Sequence, residues 1–207
     1  SYHYKIIIGK NRFKIQASVI PMSNMKTNMN NFDDVAKSLE SKTLRVCVVG
    51  IGRIGLPTAL SFAKSGLDTI GVDINKNLVD DINSDKFPLK DEPGYDEIFK
   101  NVIKNKKFTV TTKIEDAVPN SDLILLSLPT PMDKNNIPDY SALRTVASKL
   151  TDLLSPNSLV IVESTIEPGF IEDEMVSIIS QSGRLEIEKN FFIGVCPENA
   201  KPGEILL

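Results

Sequence analysis

One stretch of the chain, residues 44–73, combines a strand, a glycine motif, a helix and a second strand: LRVCVVGIGRIGLPTALSFAKSGLDTIGVD. Its first apolar run leads into three glycines in the spacing G-x-G-x-x-G, which are Gly50, Gly52 and Gly55. A helix-like segment then ends at a Ser-Gly pair, and a second apolar run ends in Asp73. A lone glycine motif is weak evidence, but a strand before it, a helix after it and an acid at the end of the second strand together predict a βαβ dinucleotide site. The alternative is an ordinary βα turn without a ligand.

Each part of this stretch has a physical role in binding a dinucleotide. The first glycine allows a tight turn, the second lets backbone N–H groups approach a diphosphate, and the third lets the helix pack closely on the strand. The helix then presents free N–H groups and the positive end of its dipole to the phosphates. Asp73 lies 18 residues after Gly55, where an acid accepts hydrogen bonds from the adenine ribose and repels a 2′-phosphate. This position favours NAD over NADP.

Composition limits the other classes of function. The chain has 207 residues, enough for one large domain with an appendage, and 41% of them are hydrophobic, as in globular proteins. A net charge of −3 gives no reason to expect nucleic acid or an anionic membrane surface as a partner. No apolar run approaches the ~20 residues that span a bilayer, and a single histidine argues against a metal site. Two distant cysteines fit a reducing compartment, so we expect a cytoplasmic protein.

The first 43 residues differ from the rest. Residues 1–20 could form a small hairpin, residues 21–31 are polar and read as a linker, and residues 34–40 are predicted to form a short helix. We interpret residues 1–43 as an N-terminal extension and linker, whose leader is not part of the working enzyme, and residues 44–207 as the NAD-binding domain. Mass spectrometry of the native protein tests this, because a mature N-terminus before Met22 would contradict it.

After residue 73, strand-like and helix-like segments alternate. This alternation predicts an α/β fold of the Rossmann type, a doubly wound and mainly parallel sheet with helices on both faces. The loops at the carboxyl ends of the strands then lie along one edge, where ligands bind. Strands are predicted at residues 108–111, 122–128, 159–162 and 191–195, helices at 75–83, 96–105, 139–154 and 170–180, and a helical turn, stopped by Pro119, at 113–118.

Three loops on that edge mix rigid proline or glycine with hydroxyl or carboxylate groups. Proline fixes φ, so the hydroxyls of Thr130 and Thr165 are held in place and can bind a nicotinamide, a ribose or an ordered water. Side chains in these loops can instead cap a helix. Ser164 and Thr165 can cap the helix near residue 170, and Asp139 can cap the helix near residue 141. Spacing does not separate capping from ligand contact. The loops are LPTP at 128–131, ESTIEPG at 163–169 and CPENAKPG at 196–203.

Five motifs, GIGRIGLPTA, GVDIN, LPTP, VEST-x-x-PG and CPEN-x-x-PG, occur in an order and spacing that resemble the N-terminal domain of the nucleotide-sugar 6-dehydrogenases. This family includes the UDP-glucose and UDP-N-acetylmannosamine dehydrogenases, and the resemblance extends from about residue 44 to the end. The last loop is more similar to the C-P-E-R-x-x-P-G of the branch that acts on UDP-N-acetylhexosamines than to the N-P-E of the UDP-glucose branch, which favours UDP-N-acetylmannosamine. Asn199 stands where that branch has an arginine associated with substrate binding, and this departure leaves the sugar open.

The resemblance implies that the parent protein oxidises the C6 alcohol of a UDP-sugar to a carboxylate in two NAD-dependent steps. The family's catalytic cysteine and lysine lie beyond its first domain, so we expect this chain to be the cofactor-binding part, inactive alone, of a homodimer or higher oligomer. The alternatives are a UDP-glucose or UDP-N-acetylglucosamine 6-dehydrogenase, a β-hydroxyacid-type dehydrogenase, which shares the glycine motif but not the late loop, and a nucleotide-binding module without catalysis.

The resemblance also implies roles for individual residues. Asp73 would bind the adenine ribose, while Thr130, Glu163 and Thr165 would lie near the nicotinamide and the reacting carbon, with Thr130 helping to hold a catalytic water. The diphosphate would be contacted by Gly50, Gly52, Arg53, Ile54 and Gly55, and the sugar-binding surface would begin with Glu198, Asn199 and Ala200.

Overall fold

Strands and helices alternate through the residues that the structure, a computed structural model, describes: 3–9, 12–18 and 43–196. The strands are β1 (His3–Gly9), β2 (Arg12–Ser18), β3 (Arg45–Val49), β4 (Asp68–Val72), β5 (Phe108–Thr111), β6 (Leu123–Leu126), β7 (Ser158–Val162) and β8 (Phe191–Val195). The α-helices are α1 (Gly55–Lys64), α2 (Lys76–Asn83), α3 (Tyr95–Lys104), α4 (Ile114–Ala117), α5 (Ser141–Leu153) and α6 (Val176–Ser180).

The main sheet has the strand order β5-β4-β3-β6-β7-β8, and every neighbouring pair is parallel. This is the doubly wound order of dinucleotide-binding domains, in which the chain first builds outward from β3 on one side and then on the other. The order reverses between β3 and β6, so a crevice lies outside their carboxyl ends. The predicted fold class is confirmed.

Both faces of the central strands are buried because helices cover each of them. Val46 and Val48 of β3 pack into a core with α1 and α3, while Cys47 and Val49 pack into a second core with α5. Successive side chains of a strand point to opposite faces, so a continuous apolar run is what a sheet covered on both faces requires. Each fully buried Val, Leu or Ile side chain contributes about 1.5–3 kcal/mol.

Some boundaries differ from the predictions. The strand predicted at 122–128 is limited to β6, and Pro119 does not stop the helical turn before it, because the chain continues from α4 into a 3₁₀ turn, Val118–Asn120. Proline fits there because it lies in the first turn, where its missing N–H has no partner to lose. The helix predicted at 170–180 begins as a π-helical turn, Ile171–Met175, and only then becomes α6.

The N-terminal strands β1 and β2 pair in antiparallel fashion, with Ile6 opposite Ile15, so the predicted hairpin is confirmed. The linker and the short helix predicted at 21–31 and 34–40 lie outside the described residues. In the part of the chain that the structure describes, no helix has the length and apolar character needed to cross a bilayer.

Candidate cofactor site

Two glycines of the motif are required by the packing of the protein itself. Gly50 has φ +88°, and its N–H donates to the carbonyl oxygen of Val72 at 2.8 Å. A Cβ on Gly50 would lie 2.4 Å from the carbonyl oxygen of Ser127, and one on Gly55 would lie 1.8 Å from the carbonyl oxygen of Gly50. The turn from β3 to α1 is therefore too tight for any side chain at either position.

Gly52 differs from these two glycines. It is exposed, its backbone lies outside the left-handed region, and a Cβ placed on it would meet nothing within 4 Å. Packing therefore does not require glycine here, and the bare backbone faces open space. The helix behind it, α1, begins with no side-chain cap and no acid in its first turn, which leaves N–H groups for an anion. These features fit the diphosphate of a dinucleotide.

Asp73 lies at the carboxyl end of β4, with its carboxylate against the glycine turn. Its Oδ2 accepts the N–H of Ile51 at 3.0 Å, and its Oδ1 accepts the N–H of Asn75 at 2.9 Å. Each carboxylate oxygen can accept more than one hydrogen bond, so both remain able to accept a ribose hydroxyl. The acid faces the predicted crevice and does not turn away from it.

Ile74 is an exposed apolar residue beside Asp73 for which the motifs of the sequence predict no role. Its side chain is 95% exposed directly after Asp73, whereas most isoleucines are buried. An exposed apolar side chain next to a ribose-binding acid offers a surface on which an adenine ring can lie, since nucleotide sites are lined largely by apolar groups. The signal in the sequence is an isoleucine directly after the acid that ends β4, between Asp73 and Asn75.

Arg53, the residue after Gly52, forms an ion pair with Asp91 of the loop between α2 and α3. Both side chains are more than half exposed. The hydrogen bond from the guanidinium lowers the pKa of Asp91, which means that the ion pair favours the charged form of this carboxyl. No spacing rule in the sequence indicates this pair, because 38 residues separate its members.

The loops that follow β6 and β7 are bonded to each other. Ser164 is buried, and its hydroxyl accepts the N–H of Leu128 at 3.0 Å and donates to the carbonyl oxygen of the same residue at 2.6 Å. The hydroxyl of Thr130 donates to the carbonyl oxygen of Thr165 at 3.0 Å. The interpretation of Ser164 as a cap of the helix near residue 170 is therefore wrong, because its hydroxyl bonds to the neighbouring loop.

Asp139 does bond to the start of the next helix, as expected, although the N-cap residue of α5 is Tyr140. Asp139 Oδ1 accepts the N–H of Ser141 at the start of α5 at 2.8 Å, and this bond lowers the pKa of Asp139. Close to it, the hydroxyl of the buried Tyr140 accepts the N–H of Glu167 at 2.9 Å. The loop after β7 is thus attached to α5 as well as to the loop after β6.

Glu163 follows β7 directly and is buried, with 8% of its surface exposed, and its N–H donates to the carbonyl oxygen of Leu126. Cys196 follows β8, where its N–H donates to the carbonyl oxygen of Val162 at 2.9 Å. The predicted sugar-binding residues come just after it and lie outside the described residues: Glu198, Asn199 and Ala200.

Two clusters therefore lie on either side of the reversal in strand order. The glycine turn with Asp73 follows β3 and β4, and Thr130, Glu163 and Thr165 follow β6 and β7. Within the described residues, no group of three or more His, Cys, Asp and Glu side chains is placed to hold a metal ion. A parallel sheet in this order, with a glycine turn after β3 and an acid after β4, defines the dinucleotide-binding class of domain.

Residues 44–207 match the family model described as UDP-glucose/GDP-mannose dehydrogenase family, NAD binding domain. The chain belongs to this family, and NAD is the cofactor of the matched domain.

Individual relatives agree with this assignment. The chain is 35% identical to the UDP-N-acetyl-D-mannosamine dehydrogenase of Pyrococcus horikoshii over 162 residues, which are 78% of this chain and 38% of that protein. It is 33% identical to protein CapL of Staphylococcus aureus over 77% of this chain and 36% of that protein. A solved structure of the UDP-D-ManNAc dehydrogenase from Pyrococcus horikoshii superposes with a TM-score of 0.73 at 34% identity, covering 79% of this chain and 38% of that one. The chain thus spans less than two fifths of the length of these relatives.

Proposed function

We propose that this chain is the cofactor-binding part of an NAD-dependent nucleotide-sugar 6-dehydrogenase, which oxidises the C6 alcohol of a UDP-sugar to the uronic acid. The observation that carries the proposal is the glycine turn, where open space at Gly52 lies beside an uncapped helix and the carboxylate of Asp73. Family membership supports the reaction class, and the activity of the whole protein is part of the proposal.

Within the site, the chain's own residues have separate roles. The N–H groups of Gly52 to Gly55, which are not used by the turn itself, hold the diphosphate together with the side chain of Arg53, and Asp73 holds the adenine ribose with Ile74 under the ring. NAD accepts a hydride when it is bound. At the other end of the crevice, Glu163 and Thr165 lie near the nicotinamide, and Thr130, whose proton points to Thr165, keeps lone pairs that can accept a water.

We further propose UDP-N-acetyl-D-mannosamine as the sugar. The motif C-P-E-N-x-x-P-G and the names of the relatives support it, while Asn199 in place of the branch's arginine keeps UDP-glucose and UDP-N-acetylglucosamine as alternatives. Glu198, Asn199 and Ala200 are the residues of this chain that we propose for the sugar. The complete protein, supplied with each sugar and NAD, tests this: two NADH per molecule of UDP-N-acetylmannosamine are expected, and a faster reaction with UDP-glucose would contradict it.

The cofactor site is tested by titrating NAD into the chain and into Gly52→Leu in a calorimeter. We expect the substitution to weaken NAD binding at least about tenfold, because the new side chain occupies the space proposed for the diphosphate. The melting temperature should stay within about 2 °C of the parent, because Gly52 is exposed and, apart from its chain neighbours, no protein atom lies within 4 Å of a Cβ at this position.

A matched control is Asn75→Ala, which removes the side-chain cap of α2 without entering the glycine turn. This change should lower stability by about 1 kcal/mol and leave the diphosphate contacts intact. Equal NAD affinity of Gly52→Leu and the parent chain would overturn the assignment of the diphosphate, and no heat with either would overturn the cofactor site as a whole.

A further inference from the structure

Arg53 occupies a position from which it can reach a diphosphate. It follows Gly52 in the turn before α1, and its side chain is 53% exposed. A guanidinium binds phosphate oxygens through paired N–H donors in a planar fork. Our inference about its neighbour rests on the proposed function, in which Arg53 contacts the cofactor's diphosphate.

The guanidinium already has an anionic partner. Its Nη2 donates to Oδ2 of Asp91, an exposed residue in the loop between α2 and α3. Among the charged side chains of the described residues, Asp91 is the one acid that pairs with Arg53. The hydrogen bond lowers the pKa of Asp91 below its ordinary value of 3.8, so the carboxylate, which is charged at neutral pH in any case, stays charged further into the acid range.

A carboxylate and a diphosphate use the same donors of a guanidinium, and two anions brought together repel each other. We propose that Asp91 is an internal competitor of the cofactor: its carboxylate occupies the Arg53 guanidinium that the diphosphate takes over, and this exchange lowers the affinity of the chain for NAD. Asp91 therefore limits cofactor affinity without being a ligand of the cofactor.

The size and character of the effect follow from the exposure of the pair. Exposed ion pairs are weak, so removing the competing charge should strengthen binding by about two- to fivefold. Since the competition is electrostatic and takes place at the surface, salt at about 1 M should remove most of the gain. Ligands with a diphosphate should all respond, whether or not they carry a nicotinamide.

The test is a calorimetric titration of the full 207-residue chain with NAD and with ADP-ribose, at low and high salt. The variants are Asp91→Asn, Arg53→Gln and the double variant. Asp68→Asn is the matched control, because Asp68 is also an exposed aspartate, pairs with Lys107 at 2.7 Å, and begins β4 at the opposite edge of the sheet from Asp73.

We expect Asp91→Asn to bind both ligands about two- to fivefold more tightly at low salt, and Asp68→Asn to bind them as the parent does. In the Arg53→Gln background, the substitution of Asp91 should have less than half of this effect. Unchanged or weaker binding by Asp91→Asn would overturn the inference, and so would an equal gain in the Arg53→Gln background. If the parent chain binds NAD while Asp91→Asn has no effect, the inference alone fails; if neither binds, the proposed function fails with it.

Discussion

The carboxylate of Asp73 accepts two backbone N–H groups, from Ile51 in the glycine turn and from Asn75 before α2. It therefore connects the carboxyl ends of β3 and β4, in addition to the ribose contact that we propose for it. Hydrogen bonds to a charged acceptor contribute about 1.5–3 kcal/mol when they are well made. The two oxygen atoms that support the turn are thus the same two that we propose for recognition of the cofactor.

Replacing this acid by its amide, Asp73→Asn, removes the negative charge and one of its acceptor atoms. We expect the preference for NAD over NADP to fall by about tenfold, because the repulsion of a 2′-phosphate is lost, and the free energy of unfolding to fall by about 1 kcal/mol. Titrations with both cofactors and urea unfolding measure the two effects. Asp68→Asn, at the other end of the same strand, should leave the preference for NAD over NADP unchanged. An unchanged preference in Asp73→Asn would refute the ribose assignment.

At the scale of the elements, the loops after β6 and β7 act as one unit. Ser164 connects them through hydrogen bonds to the N–H and the carbonyl oxygen of Leu128. The hydroxyl of Tyr140, just before α5, accepts the N–H of Glu167. The far end of α5 is also fixed, since the guanidinium of Arg184 donates to the carbonyl oxygens of Thr151 and Leu154. These bonds satisfy carbonyls that a helix end leaves unpaired.

Ser164→Ala tests whether this unit positions the nicotinamide end of the crevice. We expect a loss of about 1–3 kcal/mol in stability, because the half-buried N–H of Leu128 loses its acceptor. NAD binding should weaken, while binding of ADP-ribose, which lacks the nicotinamide, should not change. Calorimetry with both ligands measures the difference.

The control for this variant is Ser158→Ala. Ser158 is also buried, begins the same strand β7 at the opposite edge of the sheet, and donates to the carbonyl oxygen of Ser155 at 2.8 Å. It should lose comparable stability with no change in the ratio of the two affinities. A parallel loss of affinity for NAD and ADP-ribose in Ser164→Ala would count against a positioning role.

At the scale of the whole molecule, two cores separated by the sheet stabilise the fold, and Cys47, on the central strand β3, packs into the core that also contains α5. Burial raises the pKa of the Cys47 thiol to about 12, from an ordinary value of 9.0. Because the thiolate is excluded from the folded protein, this group is a packing residue and not a nucleophile.

The raised pKa predicts how stability depends on pH. The folded state holds the thiol proton more tightly than the unfolded state, so this contribution is complete below pH 9.0 and is lost as the pH rises toward 12. As the pH rises, the free energy of unfolding should fall more steeply in the parent than in Cys47→Ala. The two slopes should differ by up to about 1.4 kcal/mol per pH unit. Urea unfolding from pH 8 to pH 11 measures it, and parallel curves would show that Cys47 ionises in the folded state.

The sequence by itself determined the features that depend on neighbours along the chain. The turn at Gly50 and Gly55 is predictable because each must approach backbone too closely for a Cβ, and Asp73 because it directly ends an apolar strand. The buried strands are predictable because helices on both faces of a parallel sheet require continuous apolar runs. Together these features predicted the fold class and the half of the candidate site that we propose for the diphosphate and the ribose.

Only the tertiary structure decided which distant groups meet. Ser164 bonds to Leu128 across 36 residues, and Arg53 pairs with Asp91 across 38. A hydroxyl has several possible partners of equal chemistry, and the fold selects one by bringing it within about 3 Å. The exposure of Ile74 has the same origin, because an isoleucine is apolar in every context and only the packing of the neighbouring elements leaves it in solvent beside Asp73.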